Sequence, residues 1–347
     1  MVRRYIKFPI KQLKGKYCLS PFMQITVDRQ GDVRLCGCSW WMTQPVGNIL
    51  TTSLDDILSS QIAIDVRRSI IDGSYVYCNE KVCGVMANNG LNTVNTLPPS
   101  VAALVDDPVK YDLPYHINLD LDLTCNLSCP SCRHTVIKVP DEEKEQQREI
   151  GRILSKNLFS KPTDKKIVVE ISAGGEIFAS EMLMEMLTTI DTSVMPNLEI
   201  HLGTNGTLIT KRWKRLQSIE HLIKKITVSV DAATPDVYER VRRGGKWTDV
   251  YAGMEFLKSK KQQFPFSLNA RLIFQKENYK DSELFHHLCM QWDVDVVEYS
   301  RVYSWNTWTP EEFAIQDVYH PGNAEYSQAQ EVVARLKQLP KTWFNGF

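Results

Sequence analysis

Leu123-Thr-Cys-Asn-Leu-Ser-Cys-Pro-Ser-Cys-Arg-His134 sets three thiols, Cys125, Cys129 and Cys132, in one short loop with the spacing C-x3-C-x2-C. Thiolate sulfur is the ligand of iron–sulfur clusters and of structural zinc. Three thiolates on one loop can take three irons of a cubane and leave the fourth iron without a protein ligand. That iron is then open to a chelating small molecule. Two other readings stand beside this one: half of a zinc site, which usually shows paired C-x2–4-C elements, and unrelated cysteines in a reduced loop. The residues downstream choose between them.

Outward from the loop, short apolar strands alternate with helical patterns, the mark of parallel β/α architecture. Strands are predicted near 116–122, 167–173, 198–203, 226–231, 267–274 and 294–299, with helices near 141–158, 180–190, 208–218, 247–262 and 280–291. In such folds the working groups sit at the C-terminal ends of strands. The first strand runs into the cysteine loop. The second runs into Ser172-Ala-Gly-Gly-Glu-Ile177 and the third into Gly203-Thr-Asn-Gly-Thr207. The fourth ends Val228-Ser-Val-Asp231, where alternation puts Ser229 and Asp231 on one face. The fifth carries Arg271, a cation that is costly to bury unless paired.

This succession closely resembles the radical SAM superfamily, from about His116 to about Ser300. The resemblance implies an α/β fold built on a partial (β/α)6 barrel. It implies a [4Fe–4S] cluster on Cys125, Cys129 and Cys132 whose open iron binds the amino and carboxylate groups of S-adenosylmethionine (SAM). One electron then cleaves SAM to methionine and a 5′-deoxyadenosyl radical, which abstracts a hydrogen atom from the substrate. The cofactor carries the hard chemistry and the protein supplies position and shielding. Gly174, Gly175 and Glu176 match the stretch that receives the SAM amino group, with Glu176 as the acceptor for an ammonium. Ile177 stands where the family usually has proline. Asn205 is implied near the cofactor, either in contact with it or only shaping the turn, and Ser229 and Asp231 are implied at its ribose and carboxylate. Arg271 is assigned to a SAM or substrate carboxylate, with a buried structural glutamate as the alternative. Arg240 and Arg243, in a stretch common in the superfamily, are further candidates for a carboxylate, with solvated surface as the alternative for at least one of them.

The first ninety residues hold Cys18, Cys36, Cys38, Cys78 and Cys83. Ile25–Leu35 reads as a hairpin turning at Gln30-Gly31-Asp32. A helix capped by Ser53 is predicted to run to about Ile70. The order C-x12-G-x4-C, Gly-Asn, helix, cysteine pair resembles the SPASM/twitch modules that hold auxiliary [4Fe–4S] clusters. The resemblance implies a second cluster on Cys18, Cys36, Cys78 and Cys83, with Cys38 either replacing Cys36 or free. The family usually carries this module after the barrel, and here it comes first. A four-cysteine zinc site is the alternative.

The expected organisation is a SPASM/twitch-like auxiliary-cluster domain at 1–90, an Asn/Pro-rich linker at 91–114, the radical SAM partial barrel at 115–310 and a helical, aromatic tail at 311–347. The 347 residues carry 41 charges of each sign, which argues against a broad basic surface for nucleic acid. No apolar run approaches the ~20 residues of a membrane helix. The basic start lacks a long apolar core and a small-residue cleavage site. Nine cysteines, mostly in clusters, with no export signal point to metal binding in a reducing, cytoplasmic compartment. Expected partners are a small electron donor such as flavodoxin or ferredoxin, and a substrate. The leading substrate is a peptide or protein side chain. The alternative is a carbohydrate or other small molecule, acted on by dehydrogenation or epimerisation. A reading of another class is a non-catalytic zinc-binding interaction protein, which leaves the Gly-Gly-Glu stretch unexplained.

Overall fold

The computed structural model describes residues 13–39, 41–80, 83–87, 90–93, 115–137, 139–171 and 174–347. Apart from its first three residues, the expected linker lies outside the described residues, as do Ser172 and Ala173. The chain falls into two compact units. One comprises Met1–Leu121, Pro140–Ala173 and Thr189–Glu199; the other comprises Asp122–Val139, Gly174–Thr188 and Ile200–Phe347.

The first unit holds β1 (Lys16–Tyr17), β2 (Gln24–Asp28), β3 (Asp32–Arg34), β4 (Gly47–Asn48), β5 (Asn92–Thr93), β6 (His116–Asp120) and β7 (Ile167–Ile171). β1 and β5 form a short antiparallel ribbon. β2 and β3 make the expected hairpin, with Gly31 at φ +80°, where a side chain would be strained. Asp28 Oδ1 closes the turn by accepting from the amides of Gln30 and Asp32, 3.0 Å each. β4 extends the hairpin on the β3 side. On its other side β2 runs parallel to β6, from Gln24 opposite His116 to Asp28 opposite Asp120, and β6 runs parallel to β7. The register puts Ile25, Val27, Ile117, Leu119 and Val169 on one buried face. The expected 53–70 helix is two helices, Leu54–Leu58 and Gln61–Ile71. Ser53 and Ser60 each cap one, accepting from the amides of Asp56 and Ala63. The helix Asp141–Asn157 opens with three carboxylates and buries Gln147, Ile150, Gly151 and Leu154 as one stripe.

The second unit holds β8 (Leu198–Thr204) from Ile200 on, β9 (Ile223–Ser229), β10 (Ser267–Phe274), β11 (Val296–Arg301) and β12 (Thr342–Asn345). All neighbours are parallel in that order. Val228, Leu268, Ala270, Leu272, Val297 and Tyr299 are buried. The tail, expected to be helical and aromatic, also supplies a strand. The helix Tyr326–Leu336 returns the chain to β12, which pairs along β11, and Phe344 stacks on Tyr299 with centroids 5.2 Å apart. Among the described residues no helix is long and apolar enough to cross a membrane.

Candidate iron–sulfur and cofactor sites

The cysteine loop after β6 belongs wholly to the second unit. Asp122 starts it: Oδ1 accepts from the Thr124 amide and hydroxyl at 2.8 and 2.7 Å, and Oδ2 from the Ser180 hydroxyl at 2.5 Å. The amides of Cys132 and Arg133 both donate to the Cys129 carbonyl at 2.9 Å, which folds the loop into a turn. Each sulfur receives an N–H. The Leu127 amide (3.4 Å) and Asn205 Nδ2 (3.9 Å) reach Cys125, Arg242 Nη1 (3.8 Å) reaches Cys129, and Arg133 Nη2 (3.5 Å) reaches Cys132. Such donors stabilise the charged sulfur, the form that ligates iron, and hydrogen bonds to sulfur tune cluster potentials. The donor set fits a cluster held by these three residues.

The glycine turn lies against this loop. Gly174 has φ +76°, and a Cβ on Gly175 would stand 2.6 Å from the Thr124 carbonyl oxygen and closer still to that of Asp122. The Glu176 amide donates to the Thr124 carbonyl at 2.8 Å, and Arg133 bridges the Leu123 and Gly174 carbonyls. The Glu176 side chain, expected as the acceptor for the SAM ammonium, meets donors of the chain itself. It is 2% exposed, and its carboxylate is occupied by the chain itself. Oε1 accepts from the Thr204 hydroxyl (2.6 Å) and the Phe178 amide (3.1 Å), and Oε2 from the Asn205 amide (2.6 Å). Burial pushes this carboxyl up, against the pull of those donors. Glu176 thus holds the Thr-Asn-Gly turn. Asn205, so held, donates to Asn126 Oδ1 at 3.0 Å as well as to Cys125.

Ser229 and Asp231 do not share a face. β9 ends at Ser229, and Asp231 has φ +64°, which breaks the alternation. Ser229 is half-buried and lies opposite Arg271 in the β9–β10 register. Asp231 is buried with both oxygens engaged, Oδ1 by the Ile273 amide (2.7 Å) and Oδ2 by Arg242 Nη2 (2.8 Å). Arg271 pairs with Glu298, Nε and Nη2 at 2.9 and 2.7 Å from Oε2, while Asn269 takes Oε1. Its partner is therefore the buried glutamate that stood as the alternative. Arg240 is exposed, and Arg243 ties the cysteine loop by donating to Ser128 Oγ and to the carbonyls of Arg133 and His134. The sequence reading missed Arg242 and Arg133. Arg242 follows the buried Tyr238 by four residues, on the stripe that the helix Pro235–Val241 turns inward.

In the first unit, Cys18, Cys36, Cys78 and Cys83 line one cavity together with Trp41, Met42, Val85 and Met86. Cys38 is not on its wall; its amide donates to the Cys36 sulfur, as the Ser20 amide does to Cys18. Burial pushes the thiols of Cys18, Cys36 and Cys78 up, and their neighbours in the set add to it. The Thr26 hydroxyl on β2 donates to the Cys36 carbonyl at 2.5 Å. Four thiols in an apolar, amide-lined pocket suit a fully ligated cubane, whose shell sets its potential. Among the described residues no three His, Cys, Asp or Glu side chains converge on the position of a single metal ion.

Both thiol sets are suited to iron–sulfur clusters. Residues 123–288, just under half the chain, match the radical SAM superfamily, and residues 18–91 match the SPASM iron–sulfur cluster-binding domain. The chain thus carries a radical SAM region with a SPASM domain ahead of it. Its cofactors are SAM and [4Fe–4S] clusters, and enzymes of this kind need a reductant and a substrate. It is 29% identical over 132 residues to the FeMo cofactor biosynthesis protein NifB of Methanocaldococcus jannaschii, covering 36% of this chain and 42% of that one. It is 28% identical over 146 residues to the GTP 3′,8-cyclase of Alkaliphilus metalliredigens, covering 40% and 42%. The chain thus spans less than half the length of these curated relatives. Among solved structures it is similar to Streptococcus suis SuiB bound to precursor peptide SuiA (TM-score 0.48, 13% identity, 95% of this chain and 73% of that one). It is also similar to native anSMEcpe with bound AdoMet (TM-score 0.39, 19% identity, 55% and 51%).

Proposed function

We propose that Cys125, Cys129 and Cys132 hold the SAM-binding [4Fe–4S] cluster and that Cys18, Cys36, Cys78 and Cys83 hold an auxiliary one. The enzyme removes a hydrogen atom from a peptide or protein side chain in a reducing cytoplasm, with electrons from a small donor such as flavodoxin or ferredoxin. The observation that carries the reading is the set of N–H donors aimed at the three loop sulfurs, which favours thiolates on iron over free thiols. With SAM bound, the reduced cluster supplies the electron for its one-electron cleavage. The chain's own part is placement. Gly174 and Gly175 bring one backbone against the cysteine loop, and Glu176 fixes Asn205 beside Cys125. Ser229, half-buried at the C-terminal end of β9, is the side chain left to meet the cofactor, while Asn205 has its side-chain amide engaged by Cys125, Asn126 and Thr207. Exposed Tyr303 and Trp305 follow β11 at the same edge and offer aromatic contact area to a peptide side chain.

Anaerobic reconstitution tests the clusters: about eight irons per chain are expected for two cubanes. The Cys125/Cys129/Cys132→Ala triple variant should keep about four and release no 5′-deoxyadenosine under reduction. A colourless protein with stoichiometric zinc overturns the reading. For the substrate, 5′-deoxyadenosine should gain deuterium from the peptide fraction of a deuterated lysate. Transfer from the small-molecule fraction alone would move the assignment to a carbohydrate or another metabolite.

A further inference from the structure

We infer that Arg242 and Asp231 act as a charge pair that sets the reduction potential of the cluster on Cys125, Cys129 and Cys132; the inference rests on the cluster assignment proposed above. Arg242 has a side chain only 12% exposed, and Asp231 only 2%. One arm of the guanidinium, Nη1, lies 3.8 Å from Cys129 Sγ, and the other, Nη2, lies 2.8 Å from Asp231 Oδ2. Nε is buried with no hydrogen-bond partner among the described residues. The fork therefore does not satisfy itself in the usual way of a structural arginine; it is aimed from the carboxylate toward the sulfur.

What holds the carboxylate is unusually rigid. Asp231 has φ +64°, a conformation that costs free energy in any residue but glycine and persists only where the surroundings over-determine it. Here they do. The amides of Val230 and Asp231 both donate to the Arg271 carbonyl at 3.1 and 3.2 Å, and the Ile273 amide donates to Oδ1 at 2.7 Å. The Asp231 carbonyl accepts from Asn278 Nδ2 at 2.9 Å. Asn278 is itself fully buried, and its second N–H goes to the Ile273 carbonyl. β9 and the end of β10 thus grip Asp231, and Asp231 grips Arg242.

The electrostatic consequence has a definite sign. Adding an electron to a cluster adds negative charge to its sulfurs. A cation bonded to one of them favours the reduced state, and an anion behind that cation opposes it. Burial keeps both effects from being screened. Arg242 therefore raises the potential and Asp231 restrains the rise. Arg133, at 3.5 Å from Cys132 Sγ, is a different case: its other bonds go to carbonyls, and no carboxylate among the described residues stands behind it. Arg242 is a positioning and tuning residue in this account.

The test is a potentiometric titration of reconstituted full-length protein without SAM. The reduced cluster is followed by its electron paramagnetic resonance signal, identified as the signal that later addition of SAM changes. Arg242→Gln should shift the midpoint to more negative values, Asp231→Asn to less negative values, and Arg242→Lys should stay near wild type because it keeps the charge. Loss of packing alone would move the first two in the same direction. Shifts of the same sign, or no shift in either, overturn the inference. If Arg242→Gln fails to hold its cluster, Asp231→Asn decides: a midpoint that is unmoved or more negative overturns it. A wild-type protein with no SAM-responsive cluster sinks the underlying assignment and the inference with it, an outcome distinct from the others.

Discussion

Replacing Glu176 by alanine removes the one acceptor shared by three donors in a site that is 2% exposed. The Thr204 hydroxyl can rotate to other acceptors, but the amides of Phe178 and Asn205 cannot. A buried donor left without a partner costs about 1–3 kcal/mol, so two give about 2–6 kcal/mol. Relief of the buried carboxylate, whose acidity burial already weakens, offsets part of this and puts the expectation at about 1–4 kcal/mol. Glutamine keeps one acceptor and sets an NH2 against a donor, so it should cost about 1–3 kcal/mol. Denaturant midpoints give the magnitudes. Hydrogen exchange gives the location: the Asn205 and Phe178 amides should lose protection first. If Glu176 were instead a direct acceptor for the SAM ammonium, SAM affinity would fall with stability and exchange intact. An alanine variant within about 0.5 kcal/mol of wild type, with those amides still protected, would refute the reasoning.

Two further outcomes are expected. Gly175→Ala drives a methyl into the carbonyls of Asp122 and Thr124, so the reconstituted variant should lose the iron of the cysteine loop and keep that of the first unit; full iron content in this variant would contradict the contact. Asp120 is pushed up by burial and then by Asp28 alongside, so the folded chain holds that proton more tightly than the unfolded one. Stability due to this group is present at low pH and is lost as pH rises from the ordinary carboxylate range through the raised value. Asp120→Asn should therefore be more stable than wild type at neutral pH and lose that advantage near about pH 4, as read from denaturant midpoints at the two pH values. An identical pH dependence in the two proteins would rule this out.

The hairpin, the cysteine loop and the six strands from 116 to 301 were legible because each is written locally, in thiol spacing, turn glycine and short apolar runs. The roles of Glu176, Asp231 and Arg271 were not. Which donor meets a carboxylate depends on neighbours brought from elsewhere: Thr204 is 28 residues from Glu176, and Glu298 is 27 from Arg271. The positive φ of Asp231 has no clear sequence mark, since aspartate visits that conformation only occasionally and none of its neighbours from Val228 to Ala233 is a glycine. β12 escaped notice because Thr-Trp-Phe-Asn is four residues long and its aromatic pair reads equally well as cover. Arg242 was hidden between Arg240 and Arg243, and only the register of a short helix separates the three.

β2 has one antiparallel partner four residues on and one parallel partner that is made much later. The Asn118 side chain on β6 donates to the Ile25 carbonyl across 93 residues. During synthesis the N-terminal hairpin can close at once, yet one of its edges stays bare until residue 120 has emerged. Non-local parallel pairs form slowly, and bare edges recruit other chains. The step that completes this sheet is therefore the point at which the nascent enzyme is most open to misassembly. The same strand carries Thr26, whose hydroxyl bonds the Cys36 carbonyl, so metal loading of the N-terminal cysteines and closure of that edge stand to reinforce each other. A truncated protein lacking the first ninety residues would begin with β6 as a naked edge, and it should aggregate rather than fold into a smaller version of the same enzyme.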